Sequence, residues 1–260
     1  LEELKAPDGW LTLIGLHFLP VGESTLGRSA GNAIVLAAGP AHLGSVTPNG
    51  DGRVKLKLVP GVEAQVDGHA VLSAELDDGH GGRPPTVTCG TMSLYLITRG
   101  GKLALRVKDS AADRRVHFLG LDYYPIDPSW RIQARWVPFA HPRKVPITNV
   151  LGQVSPAVVP GQAIFIRDGH QYALLPIQES PGDPLFFIIA DLTSGHGTYA
   201  AARFLSADTP VGGTVVLDFN QAENPPCAFT PFATCPLPPR ENRLALAVTA
   251  GERAYRGDHD

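Results

Sequence analysis

The amino-acid sequence predicts an all-β protein, and three observations carry that expectation. The 260 residues include 28 glycines and 24 prolines, and only 18% are charged. That composition suits many short strands joined by tight turns. Short apolar runs, rich in β-branched and aromatic side chains, recur from end to end between Gly, Pro or Asp. Val54, Leu56 and Leu58 alternate with Lys55 and Lys57, the two-residue period of a strand with one buried face.

In chain order, residues 1–5 (LEELK) read as a short helix. Strands are expected at 32–36, 53–59, 86–89, 93–98 and 102–107, then at 163–167, 172–176, 185–190, 214–217 and 243–248. Asp168-Gly169 before His170 predicts a hairpin turn. Residues 138–146 (PFAHPRKVP) hold three prolines and read as an extended connector rather than a strand. A boundary is expected between Arg99 and Asp113. Residues 1–110 would then form a β-sandwich carrying the short N-terminal helix. Residues 111–260 would form a second β-rich layer or barrel packed on it, since no flexible linker separates them. A proline-rich loop closes the second half: residues 218–252 hold six prolines, each fixing φ near about −65° and removing a backbone donor. A loop so constrained suits holding side chains still.

Several function classes are excluded as expectations. The net charge of −3 comes with no basic block, so no nucleic-acid partner is expected. No run approaches about 18 apolar residues, so no membrane partner is expected. The opening residues lack a charged stretch followed by an apolar one, so no signal peptide is expected. Three cysteines, an odd number, point to a reducing compartment and a cytoplasmic location. No cofactor is expected. The Asp258-His259-Asp260 tail is expected to fray.

Gly22, Gly27-Arg28, Asn32-x-Ile34-x-Leu36, Val66-Asp67-Gly68, and then Val87, Gly90 and Leu94 stand in an order that resembles the forkhead-associated domain. The resemblance covers about 80 residues and implies a β-sandwich that reads phosphothreonine, with Arg28 as a phosphate ligand. The family's loop serine and later asparagine have no counterparts here: residues 39–44 read GPAHLG, and Glu63 precedes Val66. The same stretch contains G-x-S-x-G around Ser29. That nucleophile motif needs a helix after the turn, and the following NAIVL reads as strand.

The string from 218 to 252 resembles the signature of the uncharacterised prokaryotic family DUF1684. Trp10-Leu11-x-Leu13-x-Gly15-Leu16, Arg106-Val107-Lys108-Asp109, Asp191-Leu192-Thr193-Ser194-Gly195 with Thr198-Tyr199, and Arg203-Phe204-Leu205 fit it too. This resemblance implies no activity. From the residues themselves, Asp218, Asn220 and Asn224 either cap turns or, with Arg203, Tyr199 and Glu252, face a pocket under the 218–240 loop. Arg203 lies in an apolar run and needs a carboxylate if buried. Asp218 is the candidate partner.

Cys227 and Cys235 stand eight apart and are read as buried thiols, a disulfide, or a metal or catalytic thiol. No second pair completes a zinc pattern, so no metal is assigned. Cys89 reads as core. His196, in a polar turn beside Thr198 and Tyr199, is the histidine best suited to acid–base work. Trp10, Trp130 and Trp136, with Tyr123, Tyr124 and Phe139, read as core. The expected function is a non-catalytic protein binding a small molecule or peptide through Arg203, Asp218, Asn220, Asn224, Tyr199 and His196. The alternatives are a phosphothreonine module using Arg28 and a hydrolase using His196 or Cys227.

Overall fold

The computed structural model describes residues 1–80 and 82–257; the tail expected to fray lies outside them. The chain is all-β and divides into two compact units, Leu1–Phe118 and Leu119–Asp260.

The first unit opens with helix α1 (Glu2–Lys5). Its strands are β1 (Leu13–Phe18), β2 (Ser24–Gly27), β3 (Ile34–Val35), β4 (Gly44–Pro48), β5 (Val54–Leu58), β6 (Gln65–Val66), β7 (His69–Ala70), β8 (Ser73–Leu76), β9 (Thr86–Cys89), β10 (Met92–Arg99) and β11 (Lys102–Asp109). Helix α2 (Asp113–Val116) ends the unit. One sheet runs β1-β11-β10-β9-β6-β7 and the other β3-β2-β4-β5-β8. Leu26, Val46 and Leu56 of the second sheet meet Leu94, Leu96, Leu105 and Val107 of the first in one core, which makes the unit a β-sandwich. The alternating lysines of β5 point outward, as its sequence dictates.

The second unit contains β12 (Arg131–Thr148), β13 (Val154–Arg167), β14 (His170–Leu174), β15 (Leu185–Ile189), β16 (Arg203–Ala207) and β17 (Thr214–Asp218). A four-stranded sheet runs β14-β13-β12-β17, and β15-β16 form a separate ribbon. Ala134, Phe165 and Leu217 from the sheet share a core with Phe187 and Leu205 from the ribbon and with Leu244 and Val248 from the C-terminal chain. Trp130 and Phe219 pack edge to face in that core, 5.7 Å apart. The expected hairpin joins β13 to β14, with Asp168 at φ 51° and Gly169 at φ 77°, as a two-residue turn requires. Gly161 is required for a different reason. A Cβ there would lie 2.6 Å from the Trp136 ring and from the Val137 carbonyl.

Two expectations need correction. Residues 138–146 are not a connector; they belong to β12, which is 18 residues long and irregular between Pro138 and Arg143. The prolines are tolerated because Pro146 stands opposite Pro156, a pair that asks neither residue for an N–H. Residues 243–248 form no strand, although burial alternates residue by residue from Asn242 to Ala250. A parallel bridge of Arg243 with Ala190 and backbone bonds from residues 190–192 hold Asn242, Leu244 and Leu246; beyond them the Val248 amide donates to Asp191 Oδ1, and the Val248 and Ala250 carbonyls accept from Arg203.

Candidate functional site

The 218–240 loop is hydrogen-bonded to its own unit. The Val150 amide donates to the Cys235 carbonyl, and the Leu237 amide donates to the Thr148 carbonyl at 2.8 Å. Ala228, Phe229, Thr230 and Ala233 are buried and fill the space beneath it.

Arg203, at 1% exposure, lies in the interior. Its Nη2 donates to Asp191 Oδ2 at 2.8 Å, and the same guanidinium holds the carbonyls of Val248 and Ala250. Asp191 also receives the Thr193 hydroxyl at 2.6 Å, and Thr193 meets Thr198 at 2.9 Å. The expected Arg203–Asp218 pair is therefore corrected: the partner is Asp191, twelve residues upstream, because the turn after β15 returns it beside β16. Asp218 instead faces Arg131 at 3.7 Å across the β12–β17 pair.

Of the remaining residues named from sequence, Glu252 meets Arg203 through its backbone carbonyl, 3.4 Å from Nη1, and the others have separate partners. Asn220 joins Asp127, donating from Nδ2 to its carbonyl and accepting from its amide. Asp218 Oδ1 caps the turn by accepting from the Asn220 amide. Asn224 is buried; its amide donates to Glu252 Oε2 and its Nδ2 to the Arg253 carbonyl. Burial pushes the Glu252 carboxyl above its ordinary range, against hydrogen bonds from Asn224 and Tyr123 that pull it down. Tyr199 is half-buried and donates to the Cys227 carbonyl at 3.0 Å. His196 is exposed, its Nδ1 3.2 Å from the Ser194 carbonyl. Arg28 is exposed and enters no ion pair among the described residues.

Asp218 does line a cleft of about 610 Å³ on the solvent face of β12 and β17, with Arg131, Gln133, Asp208 and Gln221. Its walls are mixed polar and apolar, as small-molecule sites are. Among the described residues, no three His, Cys, Asp or Glu side chains gather to hold a metal ion. No helix is long and apolar enough to cross a membrane.

A stronger electrostatic feature lies in the first unit. Alternation along β11 puts Leu105 and Val107 in the core and Ala104, Arg106 and Lys108 on the opposite face. Arg106 is nevertheless only 6% exposed. Among the described residues it has no carboxylate partner, and its buried Nε makes no hydrogen bond. Its Cζ stands 5.2 Å from the Trp10 ring. Lys108 Nζ lies 6.0 Å from the same ring and 5.6 Å from Tyr95, and donates to the Asp8 carbonyl. Arg99 is on the same face; burial and then the Arg106 charge lower its pKa from the ordinary value. Two further cations and two aromatic rings thus gather near a buried guanidinium that has no carboxylate partner among the described residues. A buried charge of this kind is costly unless an anion pairs with it.

Sequence reasoning did not join these residues into a cluster, although Trp10, Arg106 and Lys108 all stand in the strings that resemble the family's. The position of Arg106 on the face opposite Leu105 and Val107 was the further signal. Trp10, read as core, is 37% exposed and flanks the guanidinium instead.

The model of a family described as "Protein of unknown function (DUF1684)" matches residues 116–253, a little over half the chain. A solution NMR structure of an uncharacterised protein from Haloarcula marismortui is 31% identical, covers 54% of this chain and 78% of that one, and has a TM-score of 0.45. No curated protein matches.

Proposed function

We propose that this chain, which belongs to the DUF1684 family of proteins of unknown function, is a non-catalytic binding protein for a small organic anion. The observation that carries this reading is Arg106, 94% buried by the complement of its 6% exposure and without a carboxylate partner among the described residues. A guanidinium fork is the side chain best matched to a carboxylate or phosphate. Trp10 offers an aromatic plane beside it, while Lys108 and Arg99 add positive potential. The ligand class is therefore a carboxylate or phosphate ester with a flat or apolar body. Three thiols without a disulfide support a reducing, cytoplasmic setting.

Calorimetric titration with inorganic phosphate, citrate, benzoate and phenyl phosphate tests the reading. Arg106→Gln should weaken binding about 10–100-fold, the effect of losing a charge-assisted bond of about 1.5–3 kcal/mol. No binding to the wild type, or equal binding to the variant, would end it.

The cleft beside β17 favours a second reading, a neutral polar ligand held by Arg131, Asp208 and Asp218 at the start of the 218–240 loop. A ligand lost in Asp218→Ala but retained in Arg106→Gln identifies that site. The forkhead-associated likeness of the sandwich belongs to the same reading as a scaffold. The exposed, unpaired Arg28 makes a phosphothreonine peptide a fair additional probe, with Arg28→Ala as its control.

A further inference from the structure

Cys227 and Cys235, both free thiols, face each other across the proline-rich loop of the second unit. The Cys227 amide donates to Cys235 Sγ at 3.2 Å, and the Cys235 amide donates to Cys227 Sγ at 3.3 Å. This reciprocal exchange brings both sulfurs over the same pair of peptide groups. Prolines 225, 226, 231 and 236 flank or interrupt the loop between them and fix its path. Backbone N–H groups pointed at sulfur favour the thiolate over the thiol. Cys227 is half-buried and Cys235 is 6% exposed, so an external reagent meets Cys227 first. The neighbouring Tyr199 phenol donates to the Cys227 carbonyl; burial, and then the two sulfurs, push its pKa up to about 12. It therefore stays protonated and neutral beside the pair, and a second negative charge does not oppose the thiolate.

We infer that Cys227 and Cys235 are a reversible dithiol–disulfide couple whose oxidant is a low-molecular-weight disulfide. The Cys227 thiolate attacks one sulfur of the disulfide RSSR. A Cys227–SR bond forms, the S–S bond of the reagent breaks, and RS⁻ leaves and takes up a proton. Cys235 loses its proton to solvent and attacks Cys227 Sγ, which forms the Cys227–Cys235 bond and expels the second RS⁻. The protein loses two electrons and two protons, and RSSR gains both as two RSH. Cys89 takes no part, since burial, its leading influence, pushes its thiol pKa up and it sits on another strand of the other unit. This couple is independent of the anion site, and each can fail without the other.

The test is equilibration of the whole chain in glutathione buffers of graded oxidised-to-reduced ratio, acid quench, alkylation in denaturant and intact mass. The expected result is loss of two alkylatable thiols and no retained glutathione. Half-oxidation should come at a ratio at least about tenfold lower for the folded chain than for the urea-unfolded chain, because a folded state that preorganises the pair favours its closure. Cys235→Ser should hold one glutathione on Cys227. Should that variant not fold, the folded-versus-unfolded comparison in the wild type decides alone. Stable mixed disulfide in the wild type, equal ratios in both states, or a thiol-bound metal ion in the purified protein would each overturn the inference.

Discussion

Replacing Arg106 by Met should stabilise the anion-free protein, an unusual direction for a substitution at 6% exposure. Removing an unpaired guanidinium from the interior relieves a desolvation cost of several kcal/mol. The loss of its interaction with the Trp10 ring, 5.2 Å away, offsets about 1–2 kcal/mol of that. The Met side chain keeps most of the packing of the arginine stem. The net gain is about 2 kcal/mol, which moves the midpoint of a sandwich of this size up by about 8 °C. Urea denaturation in a buffer free of phosphate and carboxylates measures the first effect. Added phenyl phosphate measures the second: the wild type should gain about 2.7 kcal/mol at a hundredfold excess over Kd, and the variant nothing. If Arg106→Met loses stability without anion and the wild type ignores every anion offered, Arg106 is a structural cation and the site does not exist.

Arg203→Met should cost about 3–5 kcal/mol, since it strands the buried Asp191 carboxylate and the carbonyls of Val248, Ala250 and Glu252. Asp218→Ala should cost less than about 1 kcal/mol, because its partner Arg131 is 58% exposed; chemical denaturation separates the two. Glu252 has a raised folded pKa, so the native state binds its proton more tightly than the unfolded chain. Stability should therefore fall as pH rises from the ordinary carboxylate pKa through the folded one, and Glu252→Gln should flatten that descent in urea midpoints taken across it. Gly251→Ala should destabilise by about 1–3 kcal/mol or more, because φ is +77° and a Cβ would meet the Ala222 carbonyl oxygen at 2.5 Å; thermal melting reads this directly.

Much of the β framework was legible because burial imposes a period on the sequence. The lysines of β5 and the apolar runs of β10, β11 and β15 mark their strands without further information. The hairpin at Asp168-Gly169 was legible for a local reason, since two successive left-handed residues need that chemistry. Short strands such as β6 and β7 were not legible, because two residues carry no period. The prolines of β12 misled for the opposite reason: the rule against proline in strands is strong, but it does not apply where the facing residue needs no donor. The Arg203 pairing was missed because distance along the chain does not decide between Asp191 and Asp218, and only the pairing of β15 with β16 brings Asp191 beside Arg203.

The C-terminal chain from Asn242 to Ala250 shows how a polar cluster can stand in for a strand. Its side chains alternate between core and solvent, as a strand's do, so its sequence reads as one. A neighbouring strand would satisfy its backbone with N–H and C=O groups. Residues 190–192 do so only as far as Leu246; beyond it the Asp191 carboxylate supplies the acceptor and Arg203 the donors. Because the two side chains neutralise each other at 2.8 Å, the arrangement buries two charges and several backbone groups without an orphaned carboxylate. The contrast with Arg106 is then informative. In one chain, one buried arginine has a carboxylate and backbone carbonyls gathered around it, while the other has an aromatic ring and further cations. Packing explains the first arrangement. The second is the arrangement that the proposed anion would complete.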